Sequence, residues 1–370
     1  MRLLITAGGT GGHVYPALAA ASELPPSAAV RWIGSVGGME RELVTREGIE
    51  FDAIQAGQVV GVGLRGVAGL AKLGWGAMQA ARIVQQWRPD ALFVTGGYTA
   101  IPVAIVCWLA RVPILVYLPD VEPGSAVKAV ARIATTVAVT TEESRAYFPP
   151  SGGNKKVVVT GYPVRSTMVA ASRVEAAAHF GLTESRRTIM VFGGSRGARS
   201  INFALLDALD DLLNDYQIIH LSGDLDWPTV SERAKQLPDD KRVHYHPYPY
   251  LHDDMGLAFA AADLVVSRAG ASTLGEFPMF GLGAILVPYP YAWRYQKVNA
   301  DYLASRGAAV RLNDEDLKMK LSATIRGLLR DPERLAAMRA ASRALAVPDA
   351  AKRIADELLQ LGSRSGSQRP

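Results

Sequence analysis

The chain has 370 residues, 49% of them hydrophobic and 20% charged, a composition that excludes general disorder and, at about 150 residues per domain, is long enough for two cores. A net charge of +5 is too small to indicate nucleic-acid binding, so no nucleic-acid partner is expected. The single cysteine, Cys107, excludes an intramolecular disulfide and a thiolate metal cluster, and points to a reducing compartment.

No signal peptide is expected, because Met1-Arg2 runs straight into Leu3-Leu4-Ile5-Thr6. Strands are predicted at Leu3–Ala7, Ala29–Ile33, Ala91–Thr95, Ile114–Tyr117, Thr136–Val139 and Lys156–Val159. Crossover helices are predicted between them, among others at Val14–Leu24, Gly76–Trp87 and Ile101–Arg111. The uncharged stretch from Ala91 to Ala110 is interrupted by Gly96-Gly97-Tyr98-Thr99 and Pro102. It therefore reads as a buried strand, a turn and a helix, and no transmembrane helix is expected. Apolar strands alternating with helices imply a parallel sheet covered on both faces.

The pattern restarts with predicted strands at Thr188–Phe192, Gln217–Leu221, Val243–Tyr245, Leu264–Ser267 and Gly283–Val287. Asp331-Pro332 reads as a cap with a first-turn proline, and helices follow it. The fold class expected is α/β, with two Rossmann-like domains. The expected boundaries are 1–163 for the first domain and 164–342 for the second. Residues 343–361 are read as a helix packing back on the first domain, and the glycine- and serine-rich 362–370 as a disordered tail.

Three blocks carry chemistry. Gly8-Gly9-Thr10-Gly11-Gly12-His13 follows the first strand, where glycines let a backbone approach a ligand and start a helix tightly. A histidine at the mouth of this turn lies beyond the sheet's carboxyl edge, and an ordinary imidazole pKa near 6.5 suits proton abstraction. A capping or packing role is the alternative. The second block, Gly193-Gly194-Ser195-Arg196-Gly197-Ala198, offers backbone N–H groups and a hydroxyl to a pyrophosphate. It lacks the Gly-Lys-Ser/Thr ending of a P-loop.

In the third block, Asp263 to Glu276, the hydroxyls of Ser272 and Thr273 open a helix, and Glu276 is placed to accept two hydrogen bonds from a ribose diol. A plain surface carboxylate is the other reading of Glu276. Farther on, Gln296 and Asn299 offer amides of the kind that read sugar hydroxyls.

These blocks, together with Gly96-Gly97-Tyr98 and Gly161-Tyr162-Pro163-Val164-Arg165, occur in the order found in glycosyltransferase family 28, and the chain resembles that family from Gly8 to Ala300. The resemblance is strongest to the branch that adds N-acetylglucosamine to lipid I. It implies a GT-B architecture, the two domains facing across a cleft. UDP-N-acetylglucosamine is then the donor and an undecaprenyl-linked N-acetylmuramyl lipid the acceptor, and transfer to the C4 hydroxyl is inverting. His13 resembles the general base. On the donor side stand Thr10, Gly11, Gly12, Arg165, Ser195, Tyr250, Leu251, Ser272, Thr273, Glu276 and Gln296; on the acceptor side stand Tyr98, Asp120 and Asn299. Neither a metal nor another cofactor is expected.

The chain departs from the family at Tyr117-Leu118-Pro119-Asp120, where His-Glu-Gln-Asn is usual, and at Arg294-Tyr295 beside Gln296. The first departure leaves open a related transferase with a different lipid or small acceptor. A UDP-sugar epimerase and a UDP-sugar-binding protein without turnover are the remaining alternatives. From Ala53 to Pro89 there is no acidic residue, while Arg65, Lys72, Arg82 and Arg88 are interleaved with Val59, Val60, Val62, Leu64, Val67, Leu70, Leu73 and Trp75. Such a segment suits an anionic membrane surface, and peripheral attachment at the cytoplasmic face of the plasma membrane is expected.

Overall fold

Two parallel sheets carry the two sequence patterns, each in its own unit: Met1–Arg165 with Pro348–Pro370, and Ser166–Val347. The structure is a computed structural model describing residues 1–8, 11–55, 64–97, 99–148, 156–194, 197–291 and 294–366, without the side chains of 64–71 and 364–366.

The first unit contains β1 (Arg2–Ala7), β2 (Ala29–Ser35), β3 (Glu50–Ile54), β4 (Ala91–Gly96), β5 (Ile114–Leu118), β6 (Thr136–Val139) and β7 (Lys156–Val159). They form one sheet in the order β3-β2-β1-β4-β5-β6-β7, and all pairs are parallel. In β1, Leu3 and Ile5 point to one core and Leu4 to the other, as the two-residue period of a strand requires. Helices α1 (Gly11–Ser22), α2 (Leu64–Trp87) and α3 (Ala100–Leu109) cover these faces. A helix over Ala350–Gly366 packs on α1 through Ile354, Leu358 and Leu361. Cys107 is buried in α3, and burial pushes its thiol up to about 12, so it is chemically quiet.

The second unit contains β8 (Thr188–Phe192), β9 (Gln217–Leu221), β10 (Tyr245–Tyr248), β11 (Leu264–Ser267), β12 (Gly283–Leu286) and β13 (Ala309–Arg311). Their order is β10-β9-β8-β11-β12-β13, again parallel throughout. Helix α4 (Arg199–Asp215) buries Ile201, Leu205, Leu209 and Leu212, a stripe at three- and four-residue spacing. Two further helices are α5 (Glu276–Phe280) and α6 (Tyr295–Ser305). The Asp331 cap is present: its carboxylate accepts the Arg334 N–H at 2.9 Å.

Several expectations are corrected. The strand predicted at Val243–Tyr245 begins only at Tyr245, because the Val243 and His244 N–H groups bond back to Asp239 and Lys241 in a preceding turn. Strands β3 and β13 were not predicted from the sequence. β3 is an edge strand without a continuous apolar run, held by the Arg31 to Asp52 pair at 2.6 Å. α2 starts at Leu64 rather than Gly76. Gly76 is a close-approach glycine, since a Cβ there would lie 2.1 Å from the Gln55 carbonyl oxygen. The tail expected to be disordered from Gly362 continues as helix to Gly366, with Gly362 against the Met1 side chain; 367–370 lie outside the described residues.

Candidate functional site

Each sheet reverses its direction of growth once. In the first unit the chain moves outward from β1 to β3, then crosses back to β4 on the other side of β1. In the second it moves from β8 to β10 and crosses to β11. Ligands in open α/β sheets bind outside the carboxyl ends of the strands that flank such a reversal. The β1 and β4 ends carry Gly8–His13 and Gly96-Gly97; the β8 and β11 ends carry Gly193–Ala198 and Arg268–Thr273.

At the first reversal, His13 is half-buried in the opening turn of α1. Its Nδ1 lies 3.2 Å from the Gly8 carbonyl oxygen. A carbonyl can only accept, so Nδ1 carries the proton and Nε2 keeps its lone pair. The Thr95 hydroxyl donates to the His13 carbonyl at 2.6 Å and ties α1 to β4. Gly96, at φ +134, lies against the imidazole: a Cβ there would be 2.7 Å from Cδ2 and 2.8 Å from Nε2. Gly97, at φ +94, leaves room for the Gly8 backbone in the same way. Gly96 at the end of β4 thus seats the histidine of α1, and Gly97 just beyond it seats the Gly8 backbone that His13 bonds.

Burial pulls the His13 imidazole below its usual pKa, while the Asp120 carboxylate, and after it the Gly8 hydrogen bond, pull it back up. Asp120, expected on the acceptor side, is therefore an electrostatic neighbour of His13. Tyr117, at the start of the same departure, is fully buried, its hydroxyl against Thr140 at 2.7 Å and donating to the Gly161 carbonyl at 3.1 Å. Arg165 stacks its guanidinium over Tyr15, 4.8 Å from the ring centroid, and its buried Nε has no hydrogen-bond partner among the described residues. Sequence reasoning missed Glu40, which is fully buried against Gly8. Its Oε1 accepts the Ser35 N–H at 2.7 Å and the Ser35 hydroxyl at 2.6 Å. The available signal was a carboxylate just past the end of β2, the strand next to β1.

At the second reversal, Gly194 and Gly197 take φ of +87 and +75, and the Gly197 N–H donates to the Gly194 carbonyl at 2.9 Å. A Cβ on Gly197 would lie 2.2 Å from the Ser222 carbonyl oxygen. A polar chain supports this turn from below. Asn202 Nδ2 donates to the Ser222 carbonyl at 2.8 Å and to Asp226 at 2.9 Å, which leaves its Oδ1 to accept from His220 Nε2 at 3.0 Å. His220 Nδ1 then accepts the Tyr245 hydroxyl at 2.7 Å. Burial pulls His220 down to about 3, so it stays neutral and serves structure rather than proton transfer.

Next along the sheet, Ala271–Leu274 form a 3-10 turn and Glu276 opens the five-residue α5. The expected helix opened by Ser272 and Thr273 is thus a tight turn followed by a short helix. Thr273 is buried, and its hydroxyl donates to the Gly270 carbonyl at 2.7 Å, which shapes the turn; Ser272 and Glu276 are half-exposed. Gln296 accepts the Tyr289 N–H at 2.8 Å and so anchors the loop before α6. Asn299, expected on the acceptor side, is instead fully buried in the second unit, its amide donating to the Ala269 carbonyl at 3.1 Å; a side chain spent on the turn in this way braces it. Tyr250 meets His252 edge to face, ring centroids 4.7 Å apart, and Leu251 is buried beside it. Gly11 and Gly12 are the first residues of α1, whereas Thr10, Tyr98 and Ser195 lie outside the described residues.

Comparison with known proteins finds one family model in each half of the chain. Residues 3–139 match the glycosyltransferase family 28 N-terminal domain and residues 188–354 its C-terminal domain. A protein from Roseiflexus sp. (strain RS-1) is 40% identical, with 96% of this chain and 94% of that protein covered. One from Halothermothrix orenii is 36% identical over 94% and 95%. Both are named UDP-N-acetylglucosamine--N-acetylmuramyl-(pentapeptide) pyrophosphoryl-undecaprenol N-acetylglucosamine transferase. The crystal structure of Acinetobacter baumannii MurG superposes with a TM-score of 0.76 at 28% identity, covering 97% of this chain and 99% of that one. A Neisseria meningitidis UDP-GlcNAc 2-epimerase reaches 0.69 at 13% identity over 97% and 100%, a likeness of fold alone.

Proposed function

The chain belongs to glycosyltransferase family 28, and from that premise we infer the reaction it performs: transfer of N-acetylglucosamine from UDP-N-acetylglucosamine to the N-acetylmuramyl unit of an undecaprenyl-pyrophosphate acceptor, which makes lipid II for peptidoglycan. The single observation that carries the chemistry is the seat of His13 at the β1/β4 reversal, where the Nδ1 contact to Gly8 puts the ring's lone pair on Nε2.

In the proposed mechanism the acceptor's C4 oxygen attacks the anomeric carbon opposite UDP, and His13 Nε2 takes the hydroxyl proton. The bond from the anomeric carbon to the diphosphate oxygen breaks as the new one forms, inverting α to β. The negative charge leaving on UDP is met by N–H groups of the Gly193–Ala198 turn, by Ser272 and by Arg165, and preorganised stabilisation of this kind often lowers a barrier more than any other effect. Glu276 holds the ribose diol and Gln296 reads the sugar, while Tyr250 and Leu251 lie along the uracil. Radiolabelled UDP-N-acetylglucosamine incubated with a lipid I analogue tests the reading: labelled disaccharide lipid is expected. An interconverted donor, or donor bound but unchanged, would overturn it.

We also propose that the first unit docks on an anionic membrane from its cytoplasmic side. Among the described residues no helix is long and apolar enough to cross a membrane. α2 exposes Trp75 and Met78 beside Lys72 and Arg82, and α3, packed against α2, exposes Ile105, Trp108 and Leu109 with Arg111 just beyond. Of the segment read from sequence, Val59, Val60 and Val62 lie outside the described residues. Removing two large apolar side chains from a membrane contact costs about 1.5–3 kcal/mol each. Trp75→Glu with Trp108→Glu should therefore weaken co-sedimentation with phosphatidylglycerol vesicles by more than about tenfold, leaving turnover of a short-chain soluble acceptor intact. Unchanged partitioning would remove this face from the role.

A further inference from the structure

We propose that Arg268, Asp314 and Ser200 form a positioning strut that holds the donor-binding segments of the second unit in register without touching the donor; this rests on the donor reading above. An arginine directly before a turn of small and hydroxyl residues invites assignment as a phosphate ligand. The geometry assigns it elsewhere. Arg268 follows β11, its side chain is only 10% exposed, and it pairs with Asp314 through Nη1. The same nitrogen donates to the carbonyls of Val287 at 3.2 Å and Pro288 at 3.5 Å, past the end of β12. Nη2 donates to the Ser200 hydroxyl at 2.8 Å, and that hydroxyl donates in turn to Asp314 at 2.7 Å, which closes a ring. The guanidinium also lies 5.2 Å from the Tyr289 ring centroid.

These bonds join three places where donor contacts begin: the Ala269–Glu276 block after β11, the Pro288–Gln296 loop after β12, and the first turn of α4 behind Gly193–Ala198. Only a planar fork with several donors reaches all of them at once, and Asp314 neutralises the charge that would otherwise attract the diphosphate to the wrong position. A lysine keeps the charge and loses the fork.

The test is calorimetric titration with UDP, alongside steady-state kinetics with UDP-N-acetylglucosamine, on the wild type, Arg268→Lys, Asp314→Asn and Ser200→Ala. The first two variants should raise the UDP Kd and the donor KM together by about tenfold, the scale of one lost charge-assisted hydrogen bond. Their kcat and acceptor KM should stay near wild type. Ser200→Ala, the mildest change, should move the same two constants in the same direction by a smaller factor. Wild-type UDP affinity in all three variants overturns the strut. A fall in kcat with KM unchanged overturns it too, because it would put Arg268 on the reacting atoms. If Arg268→Lys melts early, Ser200→Ala decides: unchanged donor constants there reduce the cluster to a fold-stabilising role. A wild type that fails to bind UDP fails the donor reading itself, an outcome distinct from any of these.

Discussion

Replacing His13 by alanine should lower kcat by about 100-fold or more, the usual loss for a general base, while UDP binding persists. The base works only when neutral, so kcat/KM should rise with pH through the His13 pKa and then level off. Burial dominates and lowers that pKa, so the rise falls below the ordinary imidazole value near 6.5 and activity is flat through neutrality. Asp120 opposes the shift. Asp120→Asn removes a charge that favours the imidazolium, so the acidic limb should move to lower pH; the weaker base should also lower the plateau. Rates measured from pH 5 to 9 on the wild type and both variants check this. Near-normal turnover in His13→Ala would free the histidine from the role, and a limb that moved upward in Asp120→Asn would contradict the assigned neighbour.

Much of this was legible in the sequence because the central strands of a doubly wound sheet are buried on both faces. Thr188–Phe192 and Leu264–Ser267 are short runs of mostly apolar residues with turn residues on either side, and they fold over the predicted spans. The edge strands β3 and β13 carry charge and few fully buried residues, so no such run announces them. The glycine turns mark ligand positions for the same physical reason they mark folds, since a backbone can come close only where no Cβ stands. What each polar side chain does in such a turn is not encoded locally. Asn299 reads as a sugar-facing amide by type and spacing, yet it is sealed against Ala269. Glu40 and Asp314 carry no motif; Glu40 reaches its turn from the connection after the neighbouring strand β2, and Asp314 reaches Arg268 from beyond β13, two strands away from β11, relations that only strand order creates. Tyr117 departs from the family pattern inside β5, where it fills core and bonds Thr140, while Asp120, three residues on, acts electrostatically on His13.

Gly96→Ala should reproduce most of the His13→Ala defect without altering a single functional group. At φ +134 an L-residue is strained by about 1–3 kcal/mol, and the new methyl would meet the imidazole at 2.7–2.8 Å. Either the ring turns away, breaking the Nδ1 contact to Gly8, or the backbone of β4 shifts and takes the Thr95 hydroxyl from the His13 carbonyl. A displacement of about 1 Å at a reacting group costs on the order of 100-fold in rate, so kcat should fall by that scale while the donor KM holds. Gly197→Ala supplies the contrast. Its methyl would strike the Ser222 carbonyl in the second unit, so the donor KM and UDP Kd should rise while the His13 limb of the pH profile stays where it was. Thermal melts separate loss of fold from loss of function in both variants. A Gly96→Ala enzyme with wild-type kcat would mean that the imidazole is not held where proton transfer needs it, because a base that tolerates a methyl at 2.7 Å has room to leave its seat.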